Sequence, residues 1–300
     1  MPARIIDGKA IAAEMRERVT RDAEQLAQEG RRPCLAAVLV GDDASSRMYA
    51  ASQARSAQKV GIEHRLIELP GDSTAERVVA EVDSLNRDAA VSGILVYQPL
   101  PKNVAPAAIQ QAISPAKDVE GVHPENLGRL SLGRDAMIPC TAAAVMACLR
   151  STGIDLTGTE AVVVGRSPIV GKPVAMLLLA EHATVTQCHT RTRDLAAHCS
   201  RADVLIAAAG SPLLIGPQHV REGAIVIDVG THRVPDSDAF AASAGGNAGG
   251  AAVPMKTVGD VRFDEVVNVA AHITPVPGGV GTVTVAMLWS NVVAAARRAS

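Results

Sequence analysis

A short turn between an apolar run and a stretch with helical spacing is the first feature of this sequence that could do chemistry. Ala161 to Val164 is apolar and largely β-branched, as in a strand buried on both faces, and Gly165 then turns the chain. A helical run begins at Gly171, with Pro173 acceptable in its first turn. Backbone N–H groups and the helix dipole favour an anion at such a junction, and dinucleotide pyrophosphates bind at sites of this kind.

Counting excludes two stricter phosphate motifs at this turn. A P-loop needs four residues between its first Gly and its Gly-Lys pair, but five residues separate Gly165 from Gly171, and no hydroxyl residue follows the Lys. The G-x-G-x-x-G fingerprint would need glycines where Ser167 and Val170 stand. A glycine-containing connection that binds no ligand therefore remains an alternative for this stretch taken alone.

The residues about 20 positions after Gly165 discriminate between the two nicotinamide cofactors. An NAD site places Asp or Glu at the end of the next strand, where it binds the ribose hydroxyls. Here that strand end reads Cys188-His-Thr-Arg-Thr-Arg193, without a carboxylate, and Arg166 lies on the turn itself. Cations at this point suit a 2′-phosphate and favour NADP, although a solvated basic helix start has the same composition.

Two series of alternating strands and helices must position these residues. The first series has predicted strands at 35–40, 64–69 and 93–97 and helices at 10–28, 46–60 and 74–86. The second has predicted strands at 161–164, 184–188, 204–209 and 224–229, before a last helix at 283–298. Residues 103–138 show no regular pattern, and the Ala/Gly/Ser-rich segment 239–252 is predicted to be a surface hairpin tip. The alternation predicts two α/β domains with parallel sheets.

Composition excludes several classes of protein. The 300 residues carry a net charge of −2, which gives no electrostatic reason to expect nucleic acid or an anionic membrane. Five cysteines without a C-x-x-C pair favour reduced thiols and indicate no metal site. Proline and glycine residues interrupt the uncharged run from Val266 to Ala296, so its pieces are expected to be too short to cross a membrane. We therefore expect a soluble, cytoplasmic protein.

Several longer stretches occur in one order along the chain. They are Val40-Gly-Asp-Asp-Ala-Ser-Ser-Arg-Met-Tyr49, Gly93-Ile-Leu-Val with Pro99-Leu-Pro101, Lys117-Asp-Val, Asn126-Leu-Gly-Arg129, Gly165-Arg-Ser with Ile169-Val-Gly-Lys-Pro173, Ile227-Asp-Val-Gly230, and Ile273-Thr-Pro-Val-Pro-Gly-Gly-Val-Gly281. Together they resemble the methylenetetrahydrofolate dehydrogenase/methenyltetrahydrofolate cyclohydrolase family, nearly end to end.

The resemblance implies two domains around a cleft. Residues 1–139 would form an N-terminal parallel-sheet α/β domain that binds folate, with the helix of residues 283–300 docking back onto it. Residues 140–282 would form a C-terminal Rossmann-like domain that binds NADP. The expected partners are one-carbon derivatives of tetrahydrofolate and a second copy of the chain, in a homodimer formed through the C-terminal domain.

The resemblance also assigns roles to individual residues. Tyr49 matches the tyrosine that stacks on the aminobenzoate ring of folate. The loop that passes the bound folate matches Pro277, Gly278 and Gly279. The cofactor-binding positions match Gly165, Arg166, Ser167, Thr190, Arg191 and Thr231.

Three positions in the folate half depart from the family pattern. Gln53 stands where the family has a Lys one helical turn after the Tyr, Tyr97 stands in place of a Gln, and Glu120 replaces the Asp that binds the pterin. With Tyr49, these are the predicted substrate-binding residues, and Tyr49, Gln53 and Tyr97 are the predicted catalytic ones. Hydrolysis of the methenyl product needs a titratable group, which the family Lys supplies and a Gln side chain does not.

We therefore predict NADP-dependent oxidation of 5,10-methylenetetrahydrofolate to 5,10-methenyltetrahydrofolate in one-carbon metabolism, with weak or absent cyclohydrolase activity. One alternative is a fully bifunctional enzyme that produces 10-formyltetrahydrofolate. A second is a folate- and nucleotide-binding regulator without turnover, and a third is another two-domain NADP dehydrogenase, such as one acting on shikimate. Glu120 and Tyr97 also leave a modified pterin carrier open.

Overall fold

The computed structural model describes residues 1–236 and 254–299, which form two compact units. The N-terminal unit comprises Ala10–Ala143 and Thr284–Ser300, and the C-terminal unit comprises Met1–Lys9 and Ala144–Val283. The sequence-based division instead placed residues 1–9 in the N-terminal domain. They belong to the C-terminal unit because strand β1 (Arg4–Ile5) pairs in parallel with residues 272–273. The hairpin tip predicted at 239–252 lies outside the described residues.

The N-terminal unit contains a parallel sheet of three strands, β2 (Cys34–Val40), β3 (Glu63–Leu69) and β4 (Gly93–Val96), in the order β3-β2-β4. All seven residues of β2 are buried, as its central position and its continuous apolar run require. The helices in this part of the chain are α1 (Gly8–Gln28), α2 (Ala44–Lys59), α3 (Ala75–Arg87), α4 (Pro106–Ala112), α5 (Pro124–Ser131) and α6 (Cys140–Arg150).

Two of these helices, α4 and α5, lie in the region 103–138 for which no regular structure was expected. Each begins with a proline at its first position, Pro106 and Pro124, where a missing N–H costs nothing. The two prolines were therefore a sequence signal for the start of each helix. The helices are only 7 and 8 residues long, which is too short for their apolar spacing to stand out.

Besides β1, the main sheet of the C-terminal unit contains strands β5 (Glu160–Val164), β6 (Thr184–Cys188), β7 (Val204–Ala207), β8 (Ile225–Asp228) and β11 (His272–Ile273). These six strands are parallel and lie in the order β1-β11-β8-β7-β5-β6. Strands β9 (His232–Pro235) and β10 (Met255–Val258) pair antiparallel with each other, and the helices of this unit include α7 (Gly171–Ala180), α8 (Leu195–Cys199) and α9 (Phe263–Val266). The predicted fold class, α/β with parallel sheets in both parts of the chain, is confirmed.

The last helix, α10 (Val280–Arg298), is longer than the sequence indicated. With 19 residues and few charges it is the one helix in the described ranges that is long and apolar enough to cross a membrane, so the expectation that proline and glycine leave only short pieces is wrong. Core helices satisfy the same criterion, and 56% of its apolar window is buried. Trp289 is fully buried in the core of the N-terminal unit and donates from Nε1 to the Ser56 hydroxyl on α2 at 3.0 Å.

Candidate active site

A cavity of about 300 Å³ lies in the N-terminal unit beside α2 and the end of β4. Helix α2 begins after Asp43, whose carboxylate accepts a hydrogen bond from the Ser46 N–H at 2.7 Å. Residues four apart on this helix share one face, so Tyr49 and Gln53 both reach the cavity. The cavity thus brings together the four residues that the sequence analysis placed in the folate half: Tyr49, Gln53, Tyr97 and Glu120.

A short hydrogen bond joins Gln53 to Tyr97. The Tyr97 hydroxyl donates to Gln53 Oε1 at 2.6 Å, and both side chains are buried. Burial also raises the pKa of the Tyr97 phenol, because the phenolate would lose its hydration. The proton is therefore held between two neutral groups near neutral pH. Tyr97 is thus a fixed hydrogen-bond partner of Gln53.

Tyr49 packs against the ring of Tyr97. Its ring centroid lies 6.0 Å from that of Tyr97, with the two planes at 84°, which is the favourable edge-to-face arrangement. Half of the Tyr49 side chain is nevertheless exposed. An aromatic ring that is held from one side and open on another is suited to stacking on a flat ligand.

Glu120 brings a carboxylate to this cavity, with no hydrogen-bond or ion-pair partner among the described residues. Its neighbour Asp118 differs, because it accepts hydrogen bonds from the side chains of Gln110 and Asn126 and from two backbone N–H groups. Burial, followed by the negative charge of Asp118, raises the pKa of Glu120 to about 7. No Lys, Arg or His of the described chain lines the cavity.

This raised pKa predicts how stability depends on pH. Between pH 4.5 and about 7, the native protein retains a proton on Glu120 that the unfolded chain releases, so the free energy of unfolding falls as pH rises. Replacing Glu120 with Gln should remove at most about 3 kcal/mol of this pH dependence. Urea unfolding at pH 5 and pH 8 measures it, with the exposed Glu24→Gln as control. Equal slopes for wild type and Glu120→Gln would contradict the assignment.

The turn after β5 in the C-terminal unit requires glycine. Gly165 has φ +129°, and a Cβ there would lie 2.0 Å from the Ala208 carbonyl oxygen. A Cβ on Gly171 would lie 2.3 Å from the Gly165 oxygen, so the start of α7 packs directly on the turn. These two glycines give the close approach of strand, turn and helix that dinucleotide sites use.

Ser167 changes which groups can bind an anion at this turn. Its hydroxyl accepts hydrogen bonds from the N–H groups of Val170 (3.1 Å) and Gly171 (3.3 Å), and its carbonyl accepts from the Lys172 N–H (3.1 Å). The first N–H groups of α7 are therefore already paired, contrary to the expectation that they are open. Among the described residues of the turn, the N–H groups of Arg166, Ser167 and Ile169 make no hydrogen bond.

A cavity of about 460 Å³ lies beside this turn. It is lined by Gly165, Arg166, Ser167 and Thr190, which are four of the six predicted cofactor positions. Arg191 is exposed at the same strand end, and neither Arg166 nor Arg191 makes an ion pair with a described residue. The cavity wall contains no carboxylate from the described residues. This donor set fits a dinucleotide with an additional phosphate.

The remaining predicted positions line a smaller cavity of the C-terminal unit. Thr231, Pro277, Gly278 and Gly279 surround a space of about 140 Å³ beside the end of β8. Gly279 has no room for a side chain, since its Cβ would lie 2.5 Å from the Pro275 oxygen. Gly278 has φ +105°, a conformation that favours glycine.

Two family models cover most of the chain. The model of the tetrahydrofolate dehydrogenase/cyclohydrolase catalytic domain matches residues 6–120, and that of the NAD(P)-binding domain of the same family matches residues 139–300. The chain belongs to the tetrahydrofolate dehydrogenase/cyclohydrolase family. The resemblance read from the motifs is thereby confirmed, and with it the NAD(P)-binding character of the C-terminal part.

Individual members of this family are similar over their whole length. The protein named Bifunctional protein FolD from Moorella thermoacetica is 48% identical over 99% of this chain and 100% of its own. A crystal structure of the bifunctional enzyme FolD from Campylobacter jejuni is 40% identical, with a TM-score of 0.89 over 99% of both chains. The Trypanosoma brucei enzyme, solved with NADP cofactor and an inhibitor, is 38% identical, with a TM-score of 0.87 over 99% of this chain and 98% of its own.

The sequence patterns did not reveal two polar side chains that support the 300 Å³ and 460 Å³ cavities. Asp260 is fully buried and accepts hydrogen bonds from the backbone N–H groups of residues 209, 210 and 211, which adjoin the 460 Å³ cavity. Asn291 on α10 donates to the carbonyl oxygens of Val119 (2.8 Å) and Ile138 (3.1 Å), and so holds the segment that carries Glu120. Neither stands in a motif, and each acts on residues distant in sequence.

Proposed function

We propose that the chain is an NADP-dependent methylenetetrahydrofolate dehydrogenase with little or no cyclohydrolase activity. Membership of the family over the whole chain supports the dehydrogenase. The observation that carries the finer part is the 2.6 Å hydrogen bond between Gln53 and Tyr97. This bond pairs two uncharged side chains with each other, and it supports the proposal because hydrolysis requires a group that exchanges protons.

Oxidation makes different demands on this site. Removing a hydride from the methylene carbon leaves positive charge on the two nitrogens that flank it, and no protein group has to take up a proton. When bound, NADP supplies the hydride acceptor. In this proposal, Tyr49 stacks on the substrate, and Gln53 offers it an amide N–H because its Oε1 is already occupied by Tyr97. Glu120 accepts hydrogen bonds from the pterin.

The residues of the C-terminal unit would hold the cofactor. The N–H groups of Arg166 and Ser167 face the pyrophosphate, and the guanidinium groups of Arg166 and Arg191 bind the 2′-phosphate. Thr231 lies near the nicotinamide, as the family resemblance implies. The absence of a carboxylate from the described lining of the 460 Å³ cavity supports NADP over NAD.

Tyr49 tests the substrate half of this proposal. Tyr49→Ala should lower kcat/KM for methylenetetrahydrofolate about tenfold, because a stacking surface is lost, and should leave the KM for NADP unchanged. Since half of the side chain is exposed, the melting temperature should fall little. A large fall in melting temperature with normal kinetics of the folded fraction would identify Tyr49 as a core residue instead.

Arg191 tests the cofactor half. Arg191→Ala should reduce the preference for NADP over NAD about tenfold or more, since a charge-assisted contact contributes about 1.5–3 kcal/mol. The matched control is Arg193→Ala, two residues further on and also exposed. Steady-state kcat/KM with each cofactor is the measurement. Equal use of both cofactors by the wild type, or an unchanged preference in Arg191→Ala, would refute this part of the proposal.

A fully bifunctional enzyme is the second candidate, and two observations favour it. The relatives at 42–48% identity are named bifunctional, and Glu120 is a carboxylate with a pKa of about 7 at the cavity. Such a group could exchange protons at neutral pH in place of a lysine. A pH profile of methenyltetrahydrofolate hydrolysis with one ionisation near 7, abolished by Glu120→Gln, would establish this second function.

Location and assembly complete the proposal. All five cysteines are free thiols, which suits a reducing cytoplasm. The family resemblance supports a homodimer formed through the C-terminal unit. Light scattering of the purified protein gives the molar mass, and a monomer at micromolar concentration would contradict the dimer.

A further inference from the structure

The end of strand β6 continues into a tightly braced turn of four residues, His189 to Thr192. The Thr192 N–H donates to the His189 carbonyl oxygen at 2.8 Å, which closes the turn. The His189 N–H donates to the Thr192 hydroxyl at 2.8 Å, and the Arg191 N–H donates to His189 Nδ1 at 3.2 Å. The two flanking side chains therefore fix the backbone of the two residues at the apex, Thr190 and Arg191.

Strand β6, which leads into this four-residue turn, is hydrogen-bonded to the Gly165 turn that follows β5. The Gly165 N–H donates to the Cys188 carbonyl oxygen at 2.9 Å, and Gln187 Nε2 donates to the Gly165 carbonyl oxygen at 3.0 Å. His189, Thr190 and Thr192 line the same cavity as Gly165. The apex is therefore held at a defined place relative to the Gly165 turn.

A fixed backbone at the apex favours phosphate binding by the Arg191 side chain. Arg191 has a long, exposed side chain, and its guanidinium makes no ion pair with a described residue. Ordering such a side chain on a phosphate costs conformational entropy, and a backbone that is already fixed lowers that cost. Bidentate binding of a phosphate by a guanidinium also depends strictly on direction.

We propose that His189 and Thr192 are positioning residues for cofactor discrimination. Through the backbone of Thr190 and Arg191, they direct the apex towards the 2′-phosphate and so set the preference for the phosphorylated dinucleotide. This inference rests on the proposed function, because it presupposes that NADP is the preferred cofactor.

Two matched pairs of variants test the positioning role. His189→Leu removes the acceptor for the Arg191 N–H, whereas His189→Asn keeps an acceptor that can bond the N–H two residues ahead. Thr192→Val removes the hydroxyl at nearly constant shape, whereas Thr192→Ser keeps it. The ligands are adenosine 2′,5′-bisphosphate and adenosine 5′-monophosphate, titrated by calorimetry into the full-length protein without cofactor.

In the His189→Leu and Thr192→Val variants, the Kd for the monophosphate divided by the Kd for the bisphosphate should fall about tenfold. The fall should come from weaker binding of the bisphosphate alone. The Asn and Ser variants should keep the ratio within about threefold. Equal weakening of both ligands would mark a packing role and overturn the proposal, as would equal ratios within each pair. If one pair does not fold, the other decides.

The wild-type protein distinguishes failure of the proposed NADP preference from failure of the positioning role. If it binds both ligands equally, the proposed NADP preference fails and the positioning role fails with it. If it prefers the bisphosphate and the Leu and Val variants prefer it equally, only the positioning role fails.

Discussion

Purified protein should oxidise methylenetetrahydrofolate with NADP but hydrolyse methenyltetrahydrofolate hardly faster than buffer does. General acid–base help is worth about 10²–10⁴-fold, and the Gln53–Tyr97 pair provides none of it. The amide of Gln53 does not titrate, and the Tyr97 proton is committed to Gln53 Oε1 at 2.6 Å. Following both reactions spectrophotometrically on the same preparation gives the ratio of the two activities.

Variants with a lysine at position 53 test whether a titratable side chain there supports hydrolysis. Gln53→Lys alone should restore little hydrolysis, because Tyr97 remains against residue 53 and Glu120 remains an unpaired carboxylate on the same cavity. Gln53→Lys combined with Tyr97→Gln should restore more. Wild-type hydrolysis well above the uncatalysed rate would contradict the prediction, and its pH profile would then show whether Glu120 is the group responsible.

Gly165→Ala should strongly destabilise the C-terminal unit and weaken cofactor binding. The new Cβ would meet the Ala208 carbonyl oxygen at 2.0 Å, and φ +129° is a conformation that residues with side chains rarely adopt. Strain and steric overlap together should cost about 3 kcal/mol or more in the free energy of unfolding. They should also weaken NADP binding more than tenfold, because the turn that we propose binds the pyrophosphate must move.

Gly158→Ala is the matched control in the same unit. Gly158 also has a positive φ of +74°, but its Cβ would have no neighbour within 4 Å, so only the backbone strain of about 1 kcal/mol remains. Urea unfolding and calorimetric titration with NADP measure both effects. Equal effects of the two substitutions would show that contact with Ala208 is unimportant.

Local pattern was sufficient for most of the fold. The apolar run of β2 and the spacing of α2 and α3 predicted these elements to within two residues, because burial and helix capping act over neighbouring positions. Patterns failed where elements were short, as for β1 and β11, which have two residues each. These strands exist because the partner strand supplies the hydrogen bonds, and no local periodicity records that.

The sequence by itself determined the family and the glycine turn after β5, and it singled out residues 53, 97 and 120 as candidate site residues. These conclusions depend only on which residue types occur in which order along the chain. Only the tertiary structure decided what those residues do to each other. In the fold, Tyr97 is hydrogen-bonded to Gln53, 44 positions away. The Glu120 carboxylate has no hydrogen-bond partner among the described residues, whereas Asp118 accepts several hydrogen bonds. The Ser167 hydroxyl accepts hydrogen bonds from N–H groups at the start of α7. Hydrogen bonding and desolvation depend on distances between atoms, and folding alone sets those distances.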